Sequence, residues 1–309
     1  MQYASIDIGT NTCNLSIAGW DNQGIQIIHS DKKPIKLGAE GFPDDKIPAV
    51  AQQRLVDTLL YYRGVIEKYD VKKQTVLATS AIRNAKNKLE IISRIKKETG
   101  FDVRVITGGD EAEYIYRGVR EAVPLDENPC LLLDIGGGSN EIQIANMEKV
   151  HWRVSVDCGI ARLLNWFQPS DPVKPDEIDR IKAFLNKELG FLNDVANTYN
   201  VDTMIGSSGS FDTFASMYLE NLGLIDIYAD TRWYGIPMEH YLSIHRKLIT
   251  RNREERLAMP GMEAMRVEMI PLASVFTKFL IDLFSVKQLI RSAYALKEGV
   301  IVGMVSGER

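Results

Sequence analysis

Two short stretches of the sequence combine acids, glycines and hydroxyl groups in a pattern suited to binding phosphate. One reads DIGGGSNEI at positions 134–142 and follows an apolar run, and the other reads DIGTN at positions 7–11 after a similar run. Glycines allow close approach of the backbone, so consecutive N–H groups can converge on phosphate oxygens. The predicted phosphate-binding residues of the two stretches are Gly9, Thr10, Asn11, Gly136, Gly137, Gly138 and Ser139.

The acids of these stretches predict a metal ion beside the phosphate. A carboxylate repels phosphate but can hold Mg²⁺, or another divalent cation such as Mn²⁺, next to it. Asp134 and Asp7 are the candidate ligands. A single Asp-x-Gly-Gly-Gly run is more often an ordinary turn, but a second copy in the other half of the chain favours a functional site. The repeat predicts a duplicated domain with one phosphate loop on each side of a cleft.

The elements around the two stretches predict an α/β protein. Each Asp-Ile-Gly turn joins two predicted strands, whereas a Walker loop joins a strand to a helix and carries Gly-Lys-Ser/Thr, which argues against an ordinary P-loop enzyme. Helices and strands then alternate, and a polar, proline-bounded segment at 124–129 separates two similar halves. In the second half we predict a long helix at 176–199, a turn at 206–210 and a core helix at 270–284.

Three further motifs supply candidate site residues. Arg83 lies in TSAIR at 79–83, at the carboxyl end of a predicted strand, where α/β proteins bind ligands. Glu111 follows Asp110 at a predicted helix start, although acids there also complement the helix dipole. Ser208 and Gly209 lie in GSSGS at 206–210, which predicts a phosphate-binding helix start.

Composition narrows the class of protein. The 309 residues are 45% hydrophobic, enough for two cores, and no apolar run approaches the roughly 20 residues of a membrane span. We expect a cytoplasmic protein with reduced thiols and no membrane partner. The net charge of −4 argues against nucleic acid as a partner, so a polyanion would need local cations. The candidate cationic clusters are Lys32 with Lys33 and Lys36, Arg83 with Lys86 and Lys88, and Arg117 with Arg120.

The ordered motifs resemble the exopolyphosphatase and guanosine pentaphosphate phosphohydrolase family, part of the superfamily of sugar kinases, actin and heat-shock ATPases. The resemblance rests on ASIDIGTN at 4–11, TSAIR at 79–83, ITGGDEA at 106–112, LLDIGGGSNE at 132–141 and GSSG at 206–209. It covers nearly the whole chain. Asp110 departs from the family pattern, which often has glutamate there, and Leu272-Ala273 stands where the family commonly has glycine. The match at 295–299 also differs at Lys297, where the family more often has arginine.

The resemblance implies two duplicated ribonuclease H-like (actin-like ATPase) domains at 1–124 and 125–309, with a ligand cleft between them and the terminal helix packed back on the first domain. It implies metal-dependent hydrolysis of the terminal phosphate of inorganic polyphosphate, and a homodimer. Glu111 would activate the attacking water, Glu141 would assist the water or metal, and Arg83 would bind phosphate.

Three alternatives to polyphosphate hydrolysis remain open from the sequence. Guanosine pentaphosphate could be the substrate of the same site. The chain could instead be a nucleotide- or polyphosphate-binding regulator without turnover, although Glu111, Asp134 and Glu141 argue against that. A sugar kinase of the same superfamily would need a catalytic aspartate in a sugar-facing loop.

Overall fold

The computed structural model describes residues 1–21, 24–38, 45–226, 228 and 231–307. The first half of the chain contains β1 (Gln2–Ile8), β2 (Thr12–Asp21), β3 (Gly24–Pro34), α1 (Ala49–Ile66), β4 (Val71–Ala78), α2 (Ser80–Asn84), α3 (Lys88–Thr99), β5 (Val103–Val105) and α4 (Gly108–Ala122). The second half contains β6 (Cys130–Ile135), β7 (Asn140–Ala145), β8 (Val150–Val156), α5 (Ile160–Phe167), α6 (Pro175–Glu188), α7 (Leu192–Thr198), β9 (Thr203–Ser207), α8 (Ser208–Leu222), β10 (Trp233–Ile236), α9 (Met238–Thr250), α10 (Arg253–Leu257), α11 (Ile270–Phe284), β11 (Gln288–Ser292) and α12 (Leu296–Ser306).

The two halves share one sheet topology. The first sheet has the order β3-β2-β1-β4-β5, and the second has the order β8-β7-β6-β9-β11, with β10 added at its outer edge. In each sheet two antiparallel strand pairs precede parallel pairing. The corresponding turns, between β1 and β2 and between β6 and β7, carry the two Asp-Ile-Gly stretches. The predicted fold of two duplicated α/β domains is therefore confirmed.

Apolar strands and helices form a separate core in each half. Every residue of β6 and β7 is buried, because helices cover both faces of this sheet. The largely apolar α11 packs in the same core against α5, α6, α7 and α9. In the part of the chain that the structure describes, no helix is both long and apolar enough to cross a membrane.

A third cluster of apolar side chains joins the two sheets. Leu77 of the first sheet, Leu132 and Ile205 of the second, and Val119 and Ile301 of α4 and α12 all belong to it. Helices α4 and α12 contact each other extensively, and α12 also contacts β1. The terminal helix thereby links the second half of the chain to the first.

Three local predictions about the second half are wrong. The long helix predicted at 176–199 is interrupted between α6 and α7 at Gly190, a poor helix former that also leaves room for a backbone carbonyl. The turn predicted over 206–210 is too long, because β9 continues to Ser207 and the chain turns directly into α8 at Ser208, whose φ is 68°. The sequence predicts a largely helical remainder after residue 210, but this segment contains the edge strand β10. The sequence also predicts a hairpin turn at 21–24 and a loop at 37–48, and both lie partly outside the described residues.

Candidate functional site

A cavity of about 500 Å³ lies between the two halves of the chain, where the two Asp-Ile-Gly turns face each other. Asp7, Glu111 and Asp134 line it, together with both turns. Glu141 and Arg83 lie directly behind this lining and bond to Ser139, which is part of it. The structure thus brings together predicted site residues from four separate stretches of the sequence. A larger cavity, of about 690 Å³, lies beside α4 and β8 and contains none of the predicted site residues.

Strand register places the acids of the two turns equivalently. Asp134 of β6 pairs with Glu141 of β7, and Asp7 of β1 pairs with Asn14 of β2. Asn14 donates a hydrogen bond of 3.0 Å to Oδ2 of Asp7. Sequence reasoning missed Asn14, although it follows Asp7 by the same offset that separates Glu141 from Asp134.

Burial makes the two aspartates costly to ionise. Asp7 has its pKa raised to about 7, chiefly by burial, and its Oδ1 atom has no hydrogen-bond partner among the described residues. Burial also raises the pKa of Asp134, against the effect of hydroxyl bonds of 2.6 Å from Ser207 and Ser208 to its Oδ2 atom. Each aspartate therefore has one oxygen anchored by the protein. A cation nearby would stabilise both in the ionised form.

The two acids at the start of α4 have different surroundings. Asp110 exchanges hydrogen bonds with Thr107 in a capping box, which lowers its pKa and accounts for its place in the helix. Glu111 is 7% exposed and faces the cavity. Burial raises the pKa of Glu111 to about 7, although Arg83 opposes that shift through a bond of 2.9 Å.

Arg83 and Glu141 connect Glu111 to the second turn. Arg83 donates to the Ile106 carbonyl at 3.1 Å and approaches the Ser139 hydroxyl at 3.5 Å. Ser139 and Ser155 donate to one oxygen of Glu141, at 2.9 and 2.7 Å. Burial and the neighbouring Glu111 raise the pKa of Glu141 well above its ordinary value. A chain of polar contacts thus runs from one half of the protein to the other.

The backbone of the second turn is oriented for an anion. The carbonyl oxygens of Gly136 and Gly137 accept N–H groups at the start of α5, and the Gly138 carbonyl accepts from Arg162 at 2.8 Å. A backbone loop binds anions through its N–H groups, so its carbonyls must point away from the ligand. These contacts turn the carbonyls of all three glycines towards α5.

The first turn has the same arrangement. Its carbonyls at Thr10 and Asn11 accept N–H groups from residues 35–38. The two turns also touch. A Cβ atom at Gly137 would lie 2.3 Å from the Asn11 amide nitrogen, and one at Gly138 would lie 2.5 Å from the Thr10 hydroxyl. Glycine is required at these positions because of this close approach.

Ser208 and Gly209 lie at the start of α8, on the cavity wall. The hydroxyl of Ser208 donates to Asp134, and the position of a Cβ at Gly209 is filled by the guanidinium of Arg266. Ser208 therefore stabilises the Asp134 carboxylate, and the lack of a side chain at Gly209 leaves space for the Arg266 guanidinium. Sequence reasoning did not identify Arg266 as a site residue, since it is far from the other motifs in the chain.

Cations also line the cavity. Lys32, Arg266 and Arg291 form this cationic part, and Arg266 is close enough to Asp134 to oppose the rise in its pKa. Arg291 is held at 2.9 Å by Asp212, whereas Nε of Arg266 is buried and has no hydrogen-bond acceptor among the described residues. Lys32 was one of the cationic residues singled out in the sequence, and its pKa is lowered by burial and by Arg266.

The acids suit a metal that uses few protein ligands. The described residues contain no group of three or more His, Cys, Asp or Glu side chains arranged to hold a metal. Mg²⁺ commonly takes one or two carboxylates and completes its shell with water and substrate phosphate. Asp7 and Asp134 fit that pattern as hard oxygen donors, and the unbonded, buried Oδ1 of Asp7 is the specific indication.

Comparison with known proteins identifies the family. The sequence model of the Ppx/GppA phosphatase family matches residues 16–308. The crystal structure of an exopolyphosphatase from Cytophaga hutchinsonii superposes with a TM-score of 0.96, at 33% identity over 100% of this chain and 99% of that one. Exopolyphosphatase 1 of Mycobacterium tuberculosis is 24% identical over 100% of this chain and 89% of that protein.

A third relative contains additional parts. The bifunctional 3-dehydroquinate synthase/phosphatase of Fusobacterium nucleatum is 32% identical over 69% of this chain, a match that takes in 34% of that protein. The family match nevertheless extends over almost the whole chain, with the fold and the duplicated turns described above. The chain belongs to the Ppx/GppA phosphatase family.

Proposed function

We propose that this protein is a metal-dependent exopolyphosphatase that hydrolyses the terminal phosphate of inorganic polyphosphate. The observation that carries the proposal is the cavity in which Asp7, Glu111 and Asp134 lie between two turns whose carbonyls point away. Phosphoryl transfer depends mostly on positioning and charge neutralisation, which such a cavity can supply. The backbone N–H groups of Thr10, Asn11 and residues 137–139 would bind the terminal phosphate oxygens. Gly9 and Gly136 would shape the two turns, because their N–H groups donate to the Thr12 carbonyl and to the Asn140 side chain.

Glu111 is the proposed general base. A water held by Glu111 would attack phosphorus, its proton would pass to the carboxylate, and the bond from phosphorus to the bridging oxygen would break, which releases phosphate and a chain shorter by one unit. A general base works best when its pKa lies near the working pH, and Glu111 has a pKa of about 7. Glu141 would keep Glu111 in position through the polar contacts that connect it to Ser139 and Arg83.

Arg83 would stabilise negative charge on the transferred group. It lies between Glu111 and Ser139, so its guanidinium reaches both the proposed base and the second turn. Asp7 and Asp134 would hold Mg²⁺, which supplies Lewis-acid stabilisation of the phosphate oxygens when bound. Ser207 and Ser208 orient Asp134, and Asn14 orients Asp7.

The cationic part of the cavity supports polyphosphate over a guanosine nucleotide. A polyphosphate chain carries charge along its whole length, so cations beyond the terminal phosphate would bind it. Lys32, Arg266 and Arg291 line the cavity and would be the cations that bind it. A nucleotide would instead need a pocket for its base.

The experiment that tests the proposal compares two substrates. Phosphate release from polyphosphate and from guanosine pentaphosphate should be measured side by side with Mg²⁺ and with EDTA. We expect faster, Mg²⁺-dependent release from polyphosphate. Preference for guanosine pentaphosphate would assign the alternative substrate, and tight binding without release in any divalent metal would identify a regulator.

A further inference from the structure

Lys297, at the start of α12, has no assigned role in the mechanism above. It lines the cavity that contains Asp7 and Asp134. Its ammonium group bonds to Glu298, and Asp7 and Asp212 add to the negative charge around it. Burial alone would lower the pKa of Lys297, but these acids outweigh it and raise the pKa above its ordinary value, so the side chain stays protonated. The protonated Lys297 therefore faces the part of the cavity that contains Asp7 and Asp134.

The start of α12 is fixed firmly in place. Glu298 is buried and accepts the N–H of Ala295 at 3.0 Å, which closes the first turn of the helix. A Cβ atom at Gly299 would lie 1.7 Å from the Tyr114 carbonyl, and one at Gly118 would lie 2.1 Å from the Ala295 carbonyl. The backbones of α12 and α4 are thus in direct contact near Lys297.

This contact relates Lys297 to Glu111. Helix α4 begins with the turn that carries Glu111, and helix α12 begins with the turn that carries Lys297. The packing of α4 against α12 at Gly118 and Gly299 therefore fixes the starts of both helices beside one cavity, which Glu111 and Lys297 both line. Arg83, another cation near these acids, is already bonded to Glu111.

We propose that Lys297 binds the terminal phosphate group of the substrate beside Asp7, as a phosphate-binding residue of the active site. This inference rests on the proposed function. A single charge-assisted hydrogen bond to phosphate oxygen would compensate for the negative charge that Asp7 places near the substrate. The ion pair with Glu298 holds the ammonium in position.

The simpler explanation is that Lys297 serves only as the partner of buried Glu298. A double variant separates the two explanations. Lys297→Met alone leaves a buried, unpaired carboxylate, whereas Lys297→Met with Glu298→Gln removes both charges, and the glutamine oxygen can still accept the Ala295 N–H. If Lys297 only pairs with Glu298, the double variant recovers activity. If Lys297 binds phosphate, the double variant folds but stays slow.

Two measurements test the proposal on the full chain. The first is kcat/KM for polyphosphate with Mg²⁺, and the second is the affinity for inorganic phosphate by titration calorimetry. We expect Lys297→Met and the double variant to lower kcat/KM by about 10- to 100-fold, the range for one hydrogen bond to a charged group, and to weaken phosphate binding. Lys297→Arg should retain most activity. Lys287→Met, which removes an exposed lysine paired with Asp202, is the matched control.

Recovery of activity in the double variant, or wild-type phosphate binding in Lys297→Met, would overturn the role of Lys297. These results are distinct from failure of the proposed function. A wild-type protein that releases no phosphate from polyphosphate, yet binds inorganic phosphate through Lys297, would retain this inference and overturn the reaction.

Discussion

Replacement of Asp7 by Asn should stabilise the protein in a way that depends on pH. Asp7 has its pKa raised from 3.8 to about 7 by burial. Between these values the folded protein keeps a proton that the unfolded chain has lost, so the free energy of unfolding falls as the pH rises. Asn is neutral, similar in shape and able to accept the hydrogen bond from Asn14. The variant should therefore lack this loss of stability.

The magnitude follows from the pKa values. The full shift of Asp7 corresponds to about 4 kcal/mol above pH 7, and about 3 kcal/mol of it develops between pH 5 and pH 8. For a chain of this size, 1 kcal/mol changes Tm by about 2 °C. Without divalent metal, Asp7→Asn should therefore gain about 5 °C in Tm relative to wild type as the pH rises from 5 to 8.

Thermal unfolding in EDTA, followed by circular dichroism at pH 5 and pH 8, measures this difference. In the presence of Mg²⁺ the difference should shrink, because a bound cation stabilises the ionised carboxylate. A Tm difference between variant and wild type that is the same at both pH values would refute the reasoning that burial of Asp7 raises its pKa.

Three further variants test separate parts of the site. Glu141→Gln should lower kcat by about 10-fold or more with little change in KM, since Glu141 acts through its bonds rather than by substrate contact; an unchanged kcat would remove it from the mechanism. Gly138→Ala should lower Tm and raise KM for polyphosphate, because the new Cβ would lie 2.5 Å from the Thr10 hydroxyl and would push the two turns apart; wild-type Tm and kinetics would argue against close contact of the turns. Arg256→Met should lower the free energy of unfolding by about 1–3 kcal/mol, because it removes the hydrogen bonds that the buried guanidinium donates to the Val267 and Arg251 carbonyls and to the half-exposed Asp171; a Tm equal to that of wild type would contradict this.

The sequence predicted the duplicated fold well because the signal is local and repeated. An apolar strand, an acid and a glycine turn occur in both halves, and each turn joins the first two strands of its sheet. The start of α4 was predictable too, since Thr107 and Asp110 form a capping box three residues apart. Such features depend on neighbours in the chain.

Features that depend on distant contacts could not be predicted. The cationic part of the cavity combines Lys32 of β3 with Arg266, residues that are far apart in the sequence and are brought together only by the packing of the two halves. Lys297 was noted only as a departure from the family pattern, and its position near Asp7 depends on the contact between α4 and α12. The break at Gly190 and the edge strand β10 were missed because helical periodicity is ambiguous over short segments.

The variant Glu111→Gln tests most directly whether Glu111 acts as general base in the hydrolysis of polyphosphate. The measurement is the steady-state release of phosphate from polyphosphate of defined length with Mg²⁺, for the wild type and for the variant. The two proteins are compared at temperatures at which both are folded. Loss of a general base predicts a fall in kcat of about 10²- to 10⁴-fold, with KM nearly unchanged. Turnover by Glu111→Gln at close to the wild-type rate would contradict the account.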